Sequence, residues 1–222
     1  MNIDEKLAKV CEGFCIEGTY LRHELIQVGN VNKTYRVIVR LADGSEKSFL
    51  VQNLNTYVFK NPAKVMDNID KVTEHIRAKH PGQIALHFHH TQDRKTYIAN
   101  GKDFWRMSNY IPSRVFNVVN DLEVVRNAGR AFGMFQVDLS DFDSNELFET
   151  IPDFHNTVKR FQALEAAVAE DAGGNVAEVR EELDYLFSVK GQACRLTTLL
   201  TEGKLPLRVT HNDTKINNVL FA

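Results

Sequence analysis

The hydrophobic period of this chain changes once, and that change divides it. From Tyr20 to Ile111, with one helical interruption, apolar residues recur mainly at every second position, the mark of half-buried strands. From Pro112 onward they recur at helical spacing. A chain written this way is expected to be α+β, with a β-rich lobe over residues 1–111 and a helical lobe over 112–222. A cleft between two such lobes is a natural small-molecule site.

Individual elements can be placed by their punctuation. Ile3, Leu7, Val10, Cys11 and Phe14 share one helical stripe, which predicts a helix over 3–15. Strands are expected over Tyr20–Val28, Thr34–Leu41 and Lys47–Leu54. Ala42-Asp43-Gly44-Ser45 joins the last two as a hairpin, because Asp-Gly supplies the positive backbone angles a tight turn needs. Asn61-Pro62 opens a helix with asparagine as cap and proline at its first position, and Pro81-Gly82 ends it. Three short strands are expected near 84–90, 95–99 and 104–111. Helices follow over 121–138 and 153–170. A third is expected to start at Asn175, with Glu178 three residues on, and to bury Val179, Leu183, Leu186, Phe187, Ala193, Leu196 and Leu200. Gly203 closes it, and strands over 205–210 and from Val219 onward bracket a polar loop.

Charge narrows the partners. Twenty-seven basic and 29 acidic residues give a formal charge of −2, without the basic excess that a nucleic-acid or anionic-membrane binder carries. Met1-Asn-Ile-Asp-Glu-Lys lacks the basic flank and apolar stretch of a secretory signal, and no window approaches a membrane span. With three cysteines, Cys11, Cys15 and Cys194, the expected setting is a reducing cytoplasm. Cys11 and Cys15 are read as small hydrophobes on a buried helix stripe in preference to a metal pair.

The segment that carries chemistry is Val209-Thr-His-Asn-Asp-Thr-Lys-Ile-Asn-Asn-Val-Leu-Phe221. Within it His211, Asp213 and Asn218 form His-x-Asp-x-x-x-x-Asn, the kinase catalytic-loop pattern. In that pattern the aspartate accepts the hydroxyl proton and the asparagine holds one of two magnesium ions. Lys215, two residues after the aspartate, is placed to meet a transferring phosphate. His-x-Asp alone is a weak signal; the added asparagine and flanking apolar runs make it specific.

On these residues the chain resembles the aminoglycoside phosphotransferase and choline kinase group, with a protein-kinase-like fold. The wording His-Asn-Asp-Thr-Lys-Ile-Asn-Asn-Val-Leu-Phe, with Phe49-Leu-Val-Gln-Asn-Leu-Asn-Thr-Tyr-Val-Phe-Lys-Asn-Pro-Ala-Lys-Val-Met, is most similar to N-acetylhexosamine 1-kinases. The resemblance implies an ATP- and Mg2+-dependent transfer to the anomeric hydroxyl of an N-acetylhexosamine. It makes Asp213 the base, Asn218 a magnesium ligand and His211 a structural member of the loop. It puts the phosphate-covering loop at Val28–Tyr35, with Gly29 and Asn32, and a plain turn is the alternative for that stretch. It puts Gln52 where the family has its phosphate-binding lysine, so the positive charge must come from elsewhere; Lys47 and Lys60 are near in sequence. Glu74 is the one glutamate on the crossing helix, and Tyr110 and Ile111 fall at the adenine-reading hinge. The family needs a second magnesium-binding aspartate after Asn218, and the chain stops four residues later, within an apolar run read as a strand. Little or no kinase activity is therefore expected of these 222 residues alone, and the native polypeptide is expected to continue.

Two rival readings stay open. One is a non-catalytic kinase-like domain that binds a nucleotide or another ligand, motivated by Gln52. The other is a His/Asp metal hydrolase built from His211 and Asp213 with His87, His89 and His90, against which Asn218 has no obvious role. If 84–90 is a strand, His87 and His89 share a face and His90 takes the other. The acidic stretch from Asp138 to Glu149 lacks calcium-loop spacing and is read as a solvated loop. Phe104-Trp105-Arg106-Met107 is read as strand packing in preference to a sugar platform.

Overall fold

The computed structural model describes residues 1–27 and 31–222. In chain order the elements are α1 (Ile3–Gly13), β1 (Thr19–Ile26), β2 (Lys33–Arg40), β3 (Glu46–Asn53), α2 (Pro62–Lys79), β4 (Ile98–Asn100), β5 (Asp103–Asn109), α3 (Leu122–Asp138), α4 (Thr157–Glu170) and α5 (Arg180–Thr201). The five strands form one antiparallel sheet in the order β1-β2-β3-β5-β4. The protein is thus α+β, with its strands in the first half. No helix among the described residues is long and apolar enough to cross a membrane.

Residues 1–150 with 209–222 form one compact unit, and 151–208 form a second. In the first, α1 starts with a capping box: Glu5 N–H donates to Asn2 Oδ1 at 2.8 Å and Asn2 N–H donates to Glu5 Oε2 at 3.1 Å. Leu7, Val10, Cys11 and Phe14 then pack on Val37, Val39, Phe49, Val51, Trp105 and Met107, which alternate along β2, β3 and β5. The opposite sheet face carries Thr34, Arg36, Ser48, Gln52, Arg106 and Ser108. Part of that face meets α2, where Leu54, Met66, Phe88 and Phe104 form a smaller cluster. The β2–β3 turn matches the Asp-Gly reading: Gly44 has φ +84°, and the Asp43 carboxylate accepts from the Ser45 N–H and hydroxyl.

In the second unit α4 and α5 share an ion pair, Lys190–Glu165 at 2.5 Å. Phe161, Leu183 and Cys194 are its buried helical side chains. Gly203, at φ +71°, donates to the Leu200 carbonyl while Lys204 N–H reaches Leu199, the paired bonds that close a helix through a left-handed residue.

Several expectations need correction. Cys15 lies past the end of α1 and is exposed, so only Cys11 joins the buried stripe. Asn61 makes no side-chain cap bond to α2, leaving Pro62 as the start signal that holds. The strand expected over 84–90 is a single bridge, Phe88 to Ser108, because β4 already occupies the first part of that edge of β5. α4 starts at Thr157, capped by Asn156, after Asp153 and His155 at positive φ. Asn175–Val179 is a turn, α5 starts at Arg180, and Leu196 is 70% exposed where burial was expected. Residues 205–210 form no strand, and the run after Asn218 makes one bridge, Phe221 to Arg114.

Candidate active site

The polar loop is built by local bonds and anchored at both ends. Asn212 takes a left-handed backbone, φ +63°, which asparagine tolerates better than most residues, and its Oδ1 accepts from the Thr210 hydroxyl at 2.7 Å. This reversal seats the His211 ring edge-on against Phe132 and Phe135 of α3, at 5.4 and 5.7 Å between centroids. Asp213 N–H donates to His211 Nδ1 at 3.3 Å. His211 therefore ties the loop to α3. At the other end Arg114 and Phe221 exchange backbone bonds of 2.9 and 3.0 Å, and Asn217 Nδ2 donates to Asn117 Oδ1 at 3.1 Å.

Between these anchors the short turn Ile216–Asn218 folds Asn218 back on Asp213. The Asn218 amide nitrogen donates to Asp213 Oδ2 and to the Asp213 carbonyl, both at 2.8 Å. Lys215 Nζ lies 3.4 Å from the same Oδ2. The Asn218 hydrogen bond, then the positive charge of Lys215, hold the Asp213 carboxyl below its ordinary pKa. The carboxylate is exposed and ionised at neutral pH, so it can accept a proton. Its remaining oxygen and the Asn218 amide oxygen are hard donors of the type magnesium takes. Among the described residues no three His, Cys, Asp or Glu side chains gather as a metal site. Two oxygen donors would suit magnesium only together with donors from a ligand; they do not make an all-protein cage.

The other expected site residues sit on the sheet. Gln52 donates from Nε2 to Thr34 Oγ1 and accepts at Oε1 from Arg106 Nε, both at 2.9 Å. In the sequence Arg106 reads as part of a strand-packing stretch, one charged residue among aromatics, with no signal of a site role. Its cross-strand pairing with Gln52 became visible only with the register. Lys47 lies on the opposite face, over the Phe49 ring, and Lys60 lies over Tyr57. Asn32 accepts from Asn55 N–H at 3.0 Å, tying the start of β2 to the turn after β3. Gly29 lies outside the described residues. Arg36 stacks over the Tyr110 ring at 4.7 Å, and the Ile111 carbonyl accepts from Ser113. Glu74 pairs with Arg77 and His87, not with a strand cation.

The residues of the rival readings are otherwise engaged. Because 84–90 is no strand, the rings of His87, His89 and His90 cluster, with His87 5.0 Å from His89 and 6.4 Å from His90. His87 and His90 pair with Glu74 and Asp70 of α2, and His89 packs edge-on against Phe49. The acidic stretch is docked and not merely solvated. Asp138 pairs with His80, just past α2, Asp141 pairs with His75 and Lys79 of α2, and Phe148 exchanges two bonds with Asn68. Phe104 and Trp105 are 5% and 4% exposed, hence packing residues.

No protein-family model matches the chain. Among solved structures it is similar to a spectinomycin phosphotransferase in complex with ADP and spectinomycin, at 13% identity and a TM-score of 0.45. The match covers 98% of this chain and 65% of that one, so the chain spans about two thirds of that protein's length.

Proposed function

We propose that these residues form part of an ATP-dependent small-molecule phosphotransferase with a protein-kinase-like, two-lobe plan dividing near residue 111. The observation that carries this reading is the 2.8 Å bond from Asn218 to an ionised Asp213 within His-x-Asp-x-x-x-x-Asn. In the reaction Asp213 takes the proton from the acceptor hydroxyl as its oxygen attacks the terminal phosphorus. Lys215 balances charge gathering on the phosphoryl oxygens, and His211 keeps the loop against α3. Asn218 orients Asp213 and offers its amide oxygen to magnesium, which when bound neutralises phosphate charge. Gln52, Asn32, Gly29, Tyr110 and Ile111 are assigned to the nucleotide, and the acceptor we favour is the anomeric hydroxyl of an N-acetylhexosamine.

The test is ADP release with ATP, Mg2+ and N-acetylglucosamine or N-acetylgalactosamine. The polypeptide used must carry these residues together with the second acidic magnesium ligand that the kinase reading requires. Asp213→Asn should lower turnover roughly 10^2- to 10^4-fold, the usual worth of a positioned general base. Undiminished turnover removes Asp213 from the base role. Turnover only with other hydroxyl acceptors moves the substrate assignment. A second reading, a non-catalytic nucleotide-binding domain, is favoured by Gln52 being engaged between Thr34 and Arg106. ADP binding without ADP release from any acceptor would select it.

A further inference from the structure

Thr34, Gln52 and Arg106 stand in one row across three neighbouring strands, β2, β3 and β5. Thr34 is 7% exposed. Gln52 links the other two, and because its amide nitrogen is spent on Thr34, its oxygen must face Arg106 Nε. The guanidinium lies over the Phe88 ring at 5.3 Å, and its Nη1 is 3.8 Å from the sulfur of Met66. Those contacts use one strong hydrogen bond and one weak one out of five donors.

What the group lacks is an acid. Arg106 has no carboxylate within 4 Å among the described residues, and unlike exposed arginines such as Arg94, Arg126 and Arg195 it is partly withdrawn from water. The three residues outside the description, Val28, Gly29 and Asn30, are uncharged and cannot supply one. Arg106 is also closely surrounded, and burial alone lowers its pKa to about 10, while part of its surface stays accessible. A cation withdrawn from water without a counter-charge is costly, whereas one held for an incoming anion is pre-arranged.

We propose that Arg106, oriented by Gln52 and Thr34, is the cation that grips a phosphate-type anion on this sheet face, in the role for which Gln52 has no charge. The anion site follows from the geometry alone; its assignment to the polyphosphate of a nucleotide rests on the phosphotransferase reading.

The experiment is titration calorimetry of the whole chain with pyrophosphate, Mg·ADP and adenosine, comparing the wild type with Arg106→Gln. Loss of a charge-assisted contact should weaken pyrophosphate and Mg·ADP about 10- to 100-fold and leave adenosine unchanged. If Mg·ADP binds both proteins equally, the Arg106 assignment falls and the nucleotide reading survives. If pyrophosphate binds through Arg106 while ADP and adenosine do not bind, the anion site stands and the nucleotide reading falls. If the wild type binds none of the three, both fall. Should Arg106→Gln fail to fold, the Arg106 Nε–H resonance of the wild type, assigned by its absence in Arg106→Lys, carries the test. A shift on adding pyrophosphate supports the site, and an unmoved resonance overturns it.

Discussion

The two faces of the sheet use the same strands for opposite ends. Under α1, residues Val37, Val39, Phe49, Val51, Trp105 and Met107 are all 4% exposed or less and carry hydrocarbon, aromatic rings and one thioether. On the reverse the same strands carry Thr34, Arg36, Ser48, Gln52, Arg106 and Ser108 among the apolar Ile38, Leu50 and Phe104. A one-sided antiparallel sheet ordinarily turns such residues to water. Here Thr34 and Ser108 are 7% and 2% exposed, so polar groups are buried on this face beside Ile38 and Phe104, at 2% and 5%. Buried polar groups without a structural need are uncommon. The contrast gives the α1 face to stability, and the reverse carries the row for which anion binding is proposed above.

The largest effect that could break this division is Leu7→Ala. Leu7 is fully buried at the centre of the α1 contact, and truncating such a leucine costs about 3 kcal/mol through lost burial and the cavity left behind. For a chain of this size that lowers the melting temperature by about 6 to 12 °C. Mg·ADP affinity, measured well below the transition, should stay within about twofold. A large loss of affinity in a folded Leu7→Ala protein would mean that the two faces are coupled.

How much of this was legible beforehand depended on where the partner of each residue lies. The α1 stripe, the Asp43-Gly44 turn and the Asp213–Asn218 pair are set by groups a few residues apart, and each was readable from spacing. The apolar alternation in β2 and β3 was equally plain. The row Thr34–Gln52–Arg106 was not, because its members are 18 and 54 positions apart and only strand register aligns them. The misplaced strands at 84–90 and 205–210 fail for a related reason. Alternation shows that a segment can pair, not that an edge is free, and β5 offers residues 84–90 only a short stretch beyond β4. The exposed leucines of α5 show that helical period marks a stripe without showing what covers it.

A smaller, pH-dependent effect tests the rim of the apolar face. His89 packs against Phe49, and burial, followed by the nearby charges of His87, Lys47, His90 and Arg77, lowers its pKa from 6.5 to about 4. Its Nε2 is buried without a hydrogen-bond partner, as suits a neutral ring. The folded state thus resists protonation that the unfolded chain accepts. Its contribution is present above about pH 6.5 and is lost as pH falls toward about 4. After allowing for partial exposure, the loss is about 1 to 2 kcal/mol. Urea unfolding at about pH 7 and pH 5 should show it, and His89→Phe should flatten that difference. An unchanged pH slope in His89→Phe would place the titrating group elsewhere.

The smallest effect decides how far the polar face acts as one site. Ser48 Oγ accepts from Arg36 Nε at 3.2 Å, two strand rows away from Gln52. Ser48→Val removes that bond, but Arg36 keeps its stack on Tyr110 and its 3.4 Å contact with Glu24. Valine is also the better strand residue. Lost bond and gained propensity nearly cancel, so stability should change by no more than about 0.5 kcal/mol. Arg36 already has a carboxylate partner and Arg106 has none, so pyrophosphate affinity should stay within about twofold of wild type. A tenfold loss would instead make Arg36 a second anion-binding cation. The recognition surface would then run from β5 across β3 to β2, and Arg106 would be one end of a strip instead of the centre of a site.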